Sequence, residues 1–331
     1  MTDSSHTLDT ERSVRAHTQL AFTSEGYTLT GTLYTPAGGG PYPTIVVVHG
    51  ASAGGQNSPL YLYLAQVMNA IGVAVYIYDR RDVSMRGNEW VHPGYMALGR
   101  DALAAVRMLT TRAEVDATRI GFWGISQGGW VAPAAFVQSP AEIAFMILVS
   151  SSGVDPAAQM VYAVPHVLRA VGYDDHVAAA GAHLRALVDR YYRGEVPRET
   201  VQAQLDQAKE QPWFRHLYIE DTLPDTLDQS GWDNERDFDP WTVFRQITAP
   251  LLLLYGEDDP WIPVEESITI WRRALAEAGN DRAEIHRVPY TGHSMLLDEP
   301  AYSDDETFQP SRVSPIYTHL LQDFVRRVVS T

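Results

Sequence analysis

The sequence predicts an α/β protein with a largely parallel sheet covered by helices on both faces, and three observations carry that prediction. Short apolar runs such as Ile45–Val48, Val73–Tyr78 and Leu251–Tyr255 have the length of buried strands. Between them, apolar residues recur at helical spacing, as in Leu60, Leu64, Val67, Met68 and Ile71. Glycines such as Gly72 punctuate the change from one pattern to the other. Strands buried on both faces and joined through helices run parallel, because only a crossover long enough to hold a helix returns the chain to the same end of the sheet.

Taken in order, Val14–Thr23 and Tyr27–Tyr34 read as a hairpin about the turn Ser24-Glu25-Gly26. Pro36–Pro43 is a loop that leads into Ile45–Val48, and that strand runs directly into His49-Gly50. The helix ending at Gly72 is followed by the strand Val73–Tyr78. Asp101–Thr111 carries a helical stripe through Leu103, Val106 and Leu109, and Ile120–Trp123 is a short strand. A turn centred on Ser126, an apolar helix through Trp130, Val131 and Ala134, and the strand Phe145–Val149 come next.

The alternation then lapses. From about 154 to 239 the pattern is helical with no strand, and the segment carries Tyr162, Trp213, Phe214, Tyr218 and Trp232. The α/β pattern resumes with Leu251–Tyr255, a helix marked by Val264, Ile268, Trp271 and Leu275, and the strand Glu284–Val288. Asp298–Arg312 reads as a long polar loop, and the tail helix Pro315–Val329 has Ile316, Leu320, Phe324 and Val328 on one side. The expected organisation is therefore a core of 15–153 plus 240–331, a helical cap of 154–239 inserted in it, and a flexible leader of 1–14. A chain of 331 residues is long for one domain but fits one large sheet with an insertion.

Composition narrows the chemistry. With no cysteine, disulfides, thiolate catalysis and Cys-based metal sites are excluded. A formal charge of −16 repels phosphate backbones and anionic bilayers, so neither nucleic acid nor membrane is an expected partner. The polar stretch Met1–Ser13 lacks the apolar segment of a secretory signal, which suits a cytoplasmic protein. No zinc-protease, dinucleotide or P-loop signature is present, so no metal and no cofactor is expected. An acidic group of Asp79, Asp82, Asp258 and Asp259 is better explained by giving one member a specific catalytic role.

Gly124-Ile125-Ser126-Gln127-Gly128 matches the nucleophile elbow G-x-S-x-G, and it falls between a buried strand and an apolar helix, where the motif acts. A strand that reverses into a helix at one residue leaves no room for side chains at Gly124 and Gly128, and it exposes the Ser126 hydroxyl. A serine needs a base, and the base needs a carboxylate to fix its tautomer. Gly256-Glu257-Asp258-Asp259-Pro260 and Tyr290-Thr291-Gly292-His293-Ser294 each follow an apolar strand, in the order Ser, Asp, His. His293 is the candidate base. Spacing alone leaves Asp258 and Asp259 open as the acid. Two backbone donors for a tetrahedral oxyanion are expected from Gln127, next to the nucleophile, and from Ala51 in the glycine-rich loop after the central strand.

These motifs together resemble the α/β-hydrolase superfamily over nearly the whole chain after residue 15. Val48-His49-Gly50, Tyr78-Asp79-Arg80-Arg81, the stretch 116–129 and Gly256 to Pro263 are similar to bacterial serine esterases related to dienelactone hydrolases and prolyl-oligopeptidase-like hydrolases. The resemblance implies a mostly parallel eight-stranded sheet with a helical cap. It also selects Asp259, because the family's acid stands three residues after the glycine that closes its strand, here Gly256. Where relatives have a glycine and a small residue after the Tyr-Asp-Arg turn, this chain has Arg81-Asp82-Val83-Ser84-Met85-Arg86, a loop expected to border the substrate.

The expected function is a serine esterase that cleaves a carboxylic ester through an acyl-enzyme, on a small substrate with an apolar acyl or ring-containing part. Acyl transfer or elimination at the same Ser-His-Asp site is the alternative within enzymology. A non-catalytic ligand-binding protein on the same scaffold is the alternative outside it. Oligomeric state is open, with a homodimer among the options.

Overall fold

Alternating residues in the N-terminal hairpin are apolar and polar, and in the computed structural model they form β1 (Ala16–Ser24) and β2 (Tyr27–Thr35), paired antiparallel around Glu25-Gly26. The structure describes residues 16–51, 55–81, 93–227, 233–236, 238–299 and 308–330. The expected leader 1–14, Trp232, 82–86 and part of the polar loop after Asp298 lie outside the described residues. The remaining strands are β3 (Tyr42–Val48), β4 (Ala74–Tyr78), β5 (Val115–Ile125), β6 (Met146–Val149), β7 (Leu251–Gly256) and β8 (Ala283–Val288).

They form one eight-stranded sheet in the order β1-β2-β4-β3-β5-β6-β7-β8. All pairings from β4 through β8 are parallel, and β2 joins β4 antiparallel. The central strands read as continuous apolar runs because helices cover both faces. One buried cluster gathers Val46, Phe122, Leu148 and Leu253 with the helices α2 (Tyr95–Leu109), α3 (Gly128–Gln138) and α9 (Val264–Glu277). The opposite face packs Ile45, Val47, Trp123 and Leu252 against α1 (Pro59–Asn69) and the tail helix α10 (Pro315–Val329).

Three details depart from the sequence reading. Helix α2 begins at Tyr95 rather than Asp101, because Gly99 hides the period. A Cβ there would lie 2.8 Å from the Ala135 nitrogen, so the glycine serves the close approach of α2 to α3. The tail helix buries Tyr317, Leu321, Phe324 and Val325, whereas Ile316 is exposed. Leu320 and Val328 of the expected stripe do pack against the core, and Tyr317 takes the place of Ile316, its hydroxyl accepting a hydrogen bond from the buried Trp123 indole at 3.2 Å. Arg81, expected at a substrate-bordering loop, is instead buried and ion-paired with Asp101 and Glu25.

Between β6 and β7 no strand occurs among the described residues, and the regular elements are helices: α4 (Pro156–Ala170), α5 (Asp175–Tyr192), α6 (Arg198–Ala208), the short α7 (Asp233–Arg236) and α8 (Pro240–Phe244). Asp155 and Asp174 cap α4 and α5 through Ala158 N at 2.8 Å and Val177 N at 2.9 Å. Val164, Leu168, Leu184, Val188, Val201, Leu205, Phe214 and Leu217 form a third apolar cluster, separate from the two that sandwich the sheet. Phe214 thus packs inside the insertion rather than over a ligand.

Candidate active site

Parallel register brings the carboxyl ends of the strands to one edge. Val48 stands opposite Gly124, Ile125 opposite Val149, Val149 opposite Leu254, and Gly256 opposite Val288. Every sequence-nominated group follows one of these ends, and the crevice beyond such an edge is where open α/β sheets bind ligands.

Ser126 follows β5 and has φ of 53°, the left-handed region that is disfavoured for a residue with a Cβ by about 1–2 kcal/mol. Its backbone N–H is held by the Val149 carbonyl at 2.9 Å. The sharp turn is permitted by its glycines: a Cβ on Gly124 would lie 2.6 Å from Gly128 O, and one on Gly128 would overlap the Val48 carbonyl. The N–H of Gln127 stands at the head of α3, where the leading N–H groups of a helix have no intrahelical acceptor and the macrodipole is positive. Gly50, one residue before Ala51, lies against the same turn: its Cβ would sit 3.7 Å from Ser126 Cβ. The loop after β3 and the elbow after β5 are thus in contact at Gly50.

Asp259 is 5% exposed, whereas Asp258 is exposed and donates its backbone N–H to Thr291 O at 2.9 Å. The Asp259 carboxylate accepts from His293 Nδ1 at 2.8 Å through Oδ2 and from Trp261 N at 2.8 Å through Oδ1. Donation by Nδ1 leaves Nε2 as the acceptor nitrogen of the neutral ring. The two loops meet because Gly256 has no side chain; a Cβ there would overlap the Gly292 and Thr291 carbonyls. The His293 carbonyl in turn accepts from Ser150 Oγ at 2.8 Å, and Ser150 is the neighbour of Val149, which holds Ser126. Two hydrogen bonds therefore connect the histidine loop to the serine turn across the end of β6.

Burial works against charge on His293, yet the Asp259 charge and hydrogen bond, helped by the Glu299 charge, hold its pKa above the ordinary histidine value. Glu299 is fixed by accepting from Ser294 N at 2.8 Å. Its place in the sequence, inside an expected polar loop, gave no signal for this part. Trp261 also went unnoticed in sequence; its ring lies 6.3 Å from that of His293, with the exposed Tyr218 of the insertion edge-on to it at 5.3 Å. Tyr162 stacks on His166 at 4.0 Å, and burial together with the Asp259 charge raises its pKa. Gln159 of α4 donates to the Trp261 carbonyl at 2.7 Å, which ties the insertion to the acid loop. Among the described residues no group of three or more acidic or histidine side chains is arranged to hold a metal; Asp79 accepts from Gln56 instead.

A family model described as the alpha/beta hydrolase family matches residues 45–303, well over half of the chain. The chain belongs to that family. Within the alpha/beta hydrolase family, it is 22% identical over 280 residues to Esterase EstD of Thermotoga maritima, covering 82% of this chain and 59% of that protein. The chain spans less than two thirds of the length of the curated relatives it matches. Among solved structures, GrgF from Penicillium sp. sh18 superposes with a TM-score of 0.59 at 18% identity, covering 96% of this chain and 100% of that one. Est1E from Butyrivibrio proteoclasticus gives 0.57 at 16% identity, covering 95% and 99%. This alpha/beta hydrolase therefore shares its fold with both, and no helix among its described residues is long and apolar enough to cross a membrane.

Proposed function

We propose that the protein is a serine esterase that hydrolyses small carboxylic esters through an acyl-enzyme, with Ser126 as nucleophile, His293 as general base and Asp259 as the orienting acid. The observation that carries this reading is the pair of buried Asp259 and half-buried His293 at 2.8 Å, presented at the same sheet edge as a serine on a left-handed turn. In the proposed reaction His293 Nε2 takes the Ser126 proton as Oγ bonds to the ester carbonyl carbon. The oxyanion receives hydrogen bonds from Ala51 N–H and Gln127 N–H. Collapse breaks the carbon–oxygen bond to the alcohol, which leaves with the proton from His293. Water, deprotonated by the same ring, then releases the acid and restores Ser126.

Trp261 beside His293, Tyr218 against Trp261 and Tyr162 within reach of the Asp259 charge favour a substrate with an apolar acyl or ring-containing part. Two similar proteins support the ester class: the T. maritima relative is called an esterase, and Est1E is described with ferulic acid bound. The test is hydrolysis of p-nitrophenyl esters of graded acyl length in labelled water. Labelled oxygen in the released acid is expected, and Ser126→Ala is expected to lower kcat by roughly 10⁶-fold. Activity retained in that variant would remove Ser126 from the mechanism, acid without the label would replace hydrolysis by elimination, and an acylated acceptor in place of free acid would replace it by acyl transfer.

A further inference from the structure

Behind Ser126 runs a buried polar chain that the proposed mechanism leaves unused. Arg80 follows β4, and its Nη1 donates to the Gly50 carbonyl at 2.8 Å and to Gln127 Oε1 at 2.7 Å. Gln127 Nε2 donates to Glu235 Oε2 at 2.9 Å, and the Tyr95 hydroxyl donates to the same carboxylate oxygen at 2.8 Å. All four side chains belong to residues that are less than a tenth exposed: Arg80 4%, Gln127 7%, Tyr95 2% and Glu235 6%. A guanidinium on one side and a carboxylate on the other permit a single orientation of the Gln127 amide, oxygen toward Arg80 and nitrogen toward Glu235.

The consequence for the oxyanion donors follows from peptide geometry. In a planar trans peptide the C=O and the next N–H point in opposite directions. Arg80, by holding the Gly50 carbonyl, directs the Ala51 N–H the other way. The same nitrogen holds the side chain of Gln127, whose backbone N–H is the second proposed donor. One cation thus fixes the relative placement of both. Its far anchor, Glu235, belongs to α7 in the insertion, whereas Tyr95 and Gln127 belong to the sheet core. Burial, with the Glu235 charge and hydrogen bond, keeps the Tyr95 hydroxyl protonated far above its ordinary range, so it remains a donor at working pH.

We propose that Glu235 is a positioning residue through which the docked insertion sets the oxyanion donors, by way of Gln127 and Arg80. The proposal rests on the reading of Ser126 as nucleophile with Ala51 and Gln127 as donors. An oxyanion forms only during the reaction, so misplaced donors weaken the transition state and leave ester binding nearly intact.

The experiment measures kcat and KM on one p-nitrophenyl ester for Glu235→Ala, Glu235→Gln, Gln127→Ala and the double variant Glu235→Ala/Gln127→Ala. Removing a whole oxyanion donor lowers kcat by ~10²–10³-fold, so a displaced donor is expected to lower it by about tenfold in Glu235→Ala, with KM within about twofold. Glu235→Gln keeps an acceptor for both Tyr95 and Gln127 and is expected to recover most of the rate. Because Glu235 acts through Gln127, the double variant is expected to be no slower than the worse single one. A wild-type kcat in Glu235→Ala, a loss carried by KM, or losses that multiply in the double variant would each overturn the proposal. Should Glu235→Ala fail to fold, a wild-type kcat in Gln127→Ala overturns it equally. Ser126→Ala in the same assay keeps the two readings apart: residual full activity there removes the esterase mechanism, whereas a Ser126-dependent rate indifferent to Glu235 removes only this coupling.

Discussion

At the carboxyl edge of the sheet each proposed chemical group stands just beyond a strand: Ser126 after Ile125, Asp259 shortly after Gly256, and His293 in the loop after Val288. In the insertion, the side chains that reach toward the same edge are Gln159 on α4, Tyr218 in a loop and Glu235 on α7, and α4 also contributes to a separate apolar cluster. The first set inherits its positions from backbone ladders, whose register admits no slip without turning every side chain to the other face. The second set is held by its own core and a few polar tethers. Chemistry is therefore expected to fail sharply when the edge is altered and by degrees when the insertion is.

The largest contrast is expected between two neighbouring acids. Asp259→Asn removes the charge that fixes the His293 tautomer and is expected to lower kcat by roughly 10⁴-fold, about 5.5 kcal/mol of transition-state stabilisation. Asp258→Asn, an exposed side chain, is expected to stay within about twofold. Equal losses in the two would break the assignment that geometry makes between them.

Next in size is damage to the insertion's core. Leu205 is fully buried there, and Leu205→Ala is expected to destabilise the protein by about 2–5 kcal/mol, read from denaturant midpoints. Below the unfolding transition its kcat is expected within about threefold of the parent, since no strand end moves. A collapse comparable to that of Asp259→Asn would show that insertion and edge form one rigid unit.

A smaller effect is expected at the aromatic surface that the two regions share. Trp261→Ala retains the backbone N–H that serves Asp259 and removes only the ring beside His293 and Tyr218. For an aryl ester KM is expected to rise about tenfold, near 1.4 kcal/mol, with kcat little changed, while an acetyl ester of a small alcohol is affected about twofold. Equal effects on both esters would mean that the ring braces the loop rather than meets the substrate.

The same division explains what could be read from the sequence. Strand ends announce themselves through apolar runs, and the motifs attached to them nominate Ser126 and His293, while only the resemblance to a family separates Asp259 from Asp258. Arg80 was visible only as part of a turn resembling those of relatives, and its grip on Gly50 depends on strand order. Glu235 sits in a single helical turn with no periodic signal, and its partners lie 108 and 140 residues away in the chain. Tyr317 gives no sequence signal on the tail helix because a hydroxyl counts against burial until its partner, Trp123, is known. Nothing local in the sequence ties Arg81 to Asp101 and Glu25, so its burial and its ion pairs are visible only in the fold. Local pattern reports the sheet; the polar links between distant elements require the fold.

The mildest test concerns pH and again sets edge against periphery. The His293 pKa is raised above 6.5 by Asp259 and Glu299 against the opposing pull of burial, and only the neutral ring can accept the Ser126 proton. The acid limb of kcat/KM is therefore expected above 6.5, with activity lost as pH falls through it. Stability runs the other way. A histidine more basic in the folded than in the unfolded chain contributes stability that is complete below the unfolded value and disappears as pH rises through the folded one. Glu299→Gln keeps an acceptor for Ser294 N and removes one of the two raising charges, so the limb is expected to move to lower pH while the plateau rate is retained. A limb that stays in place would assign the whole elevation to Asp259, and a limb below 6.5 in the parent would mean that burial outweighs both carboxylates.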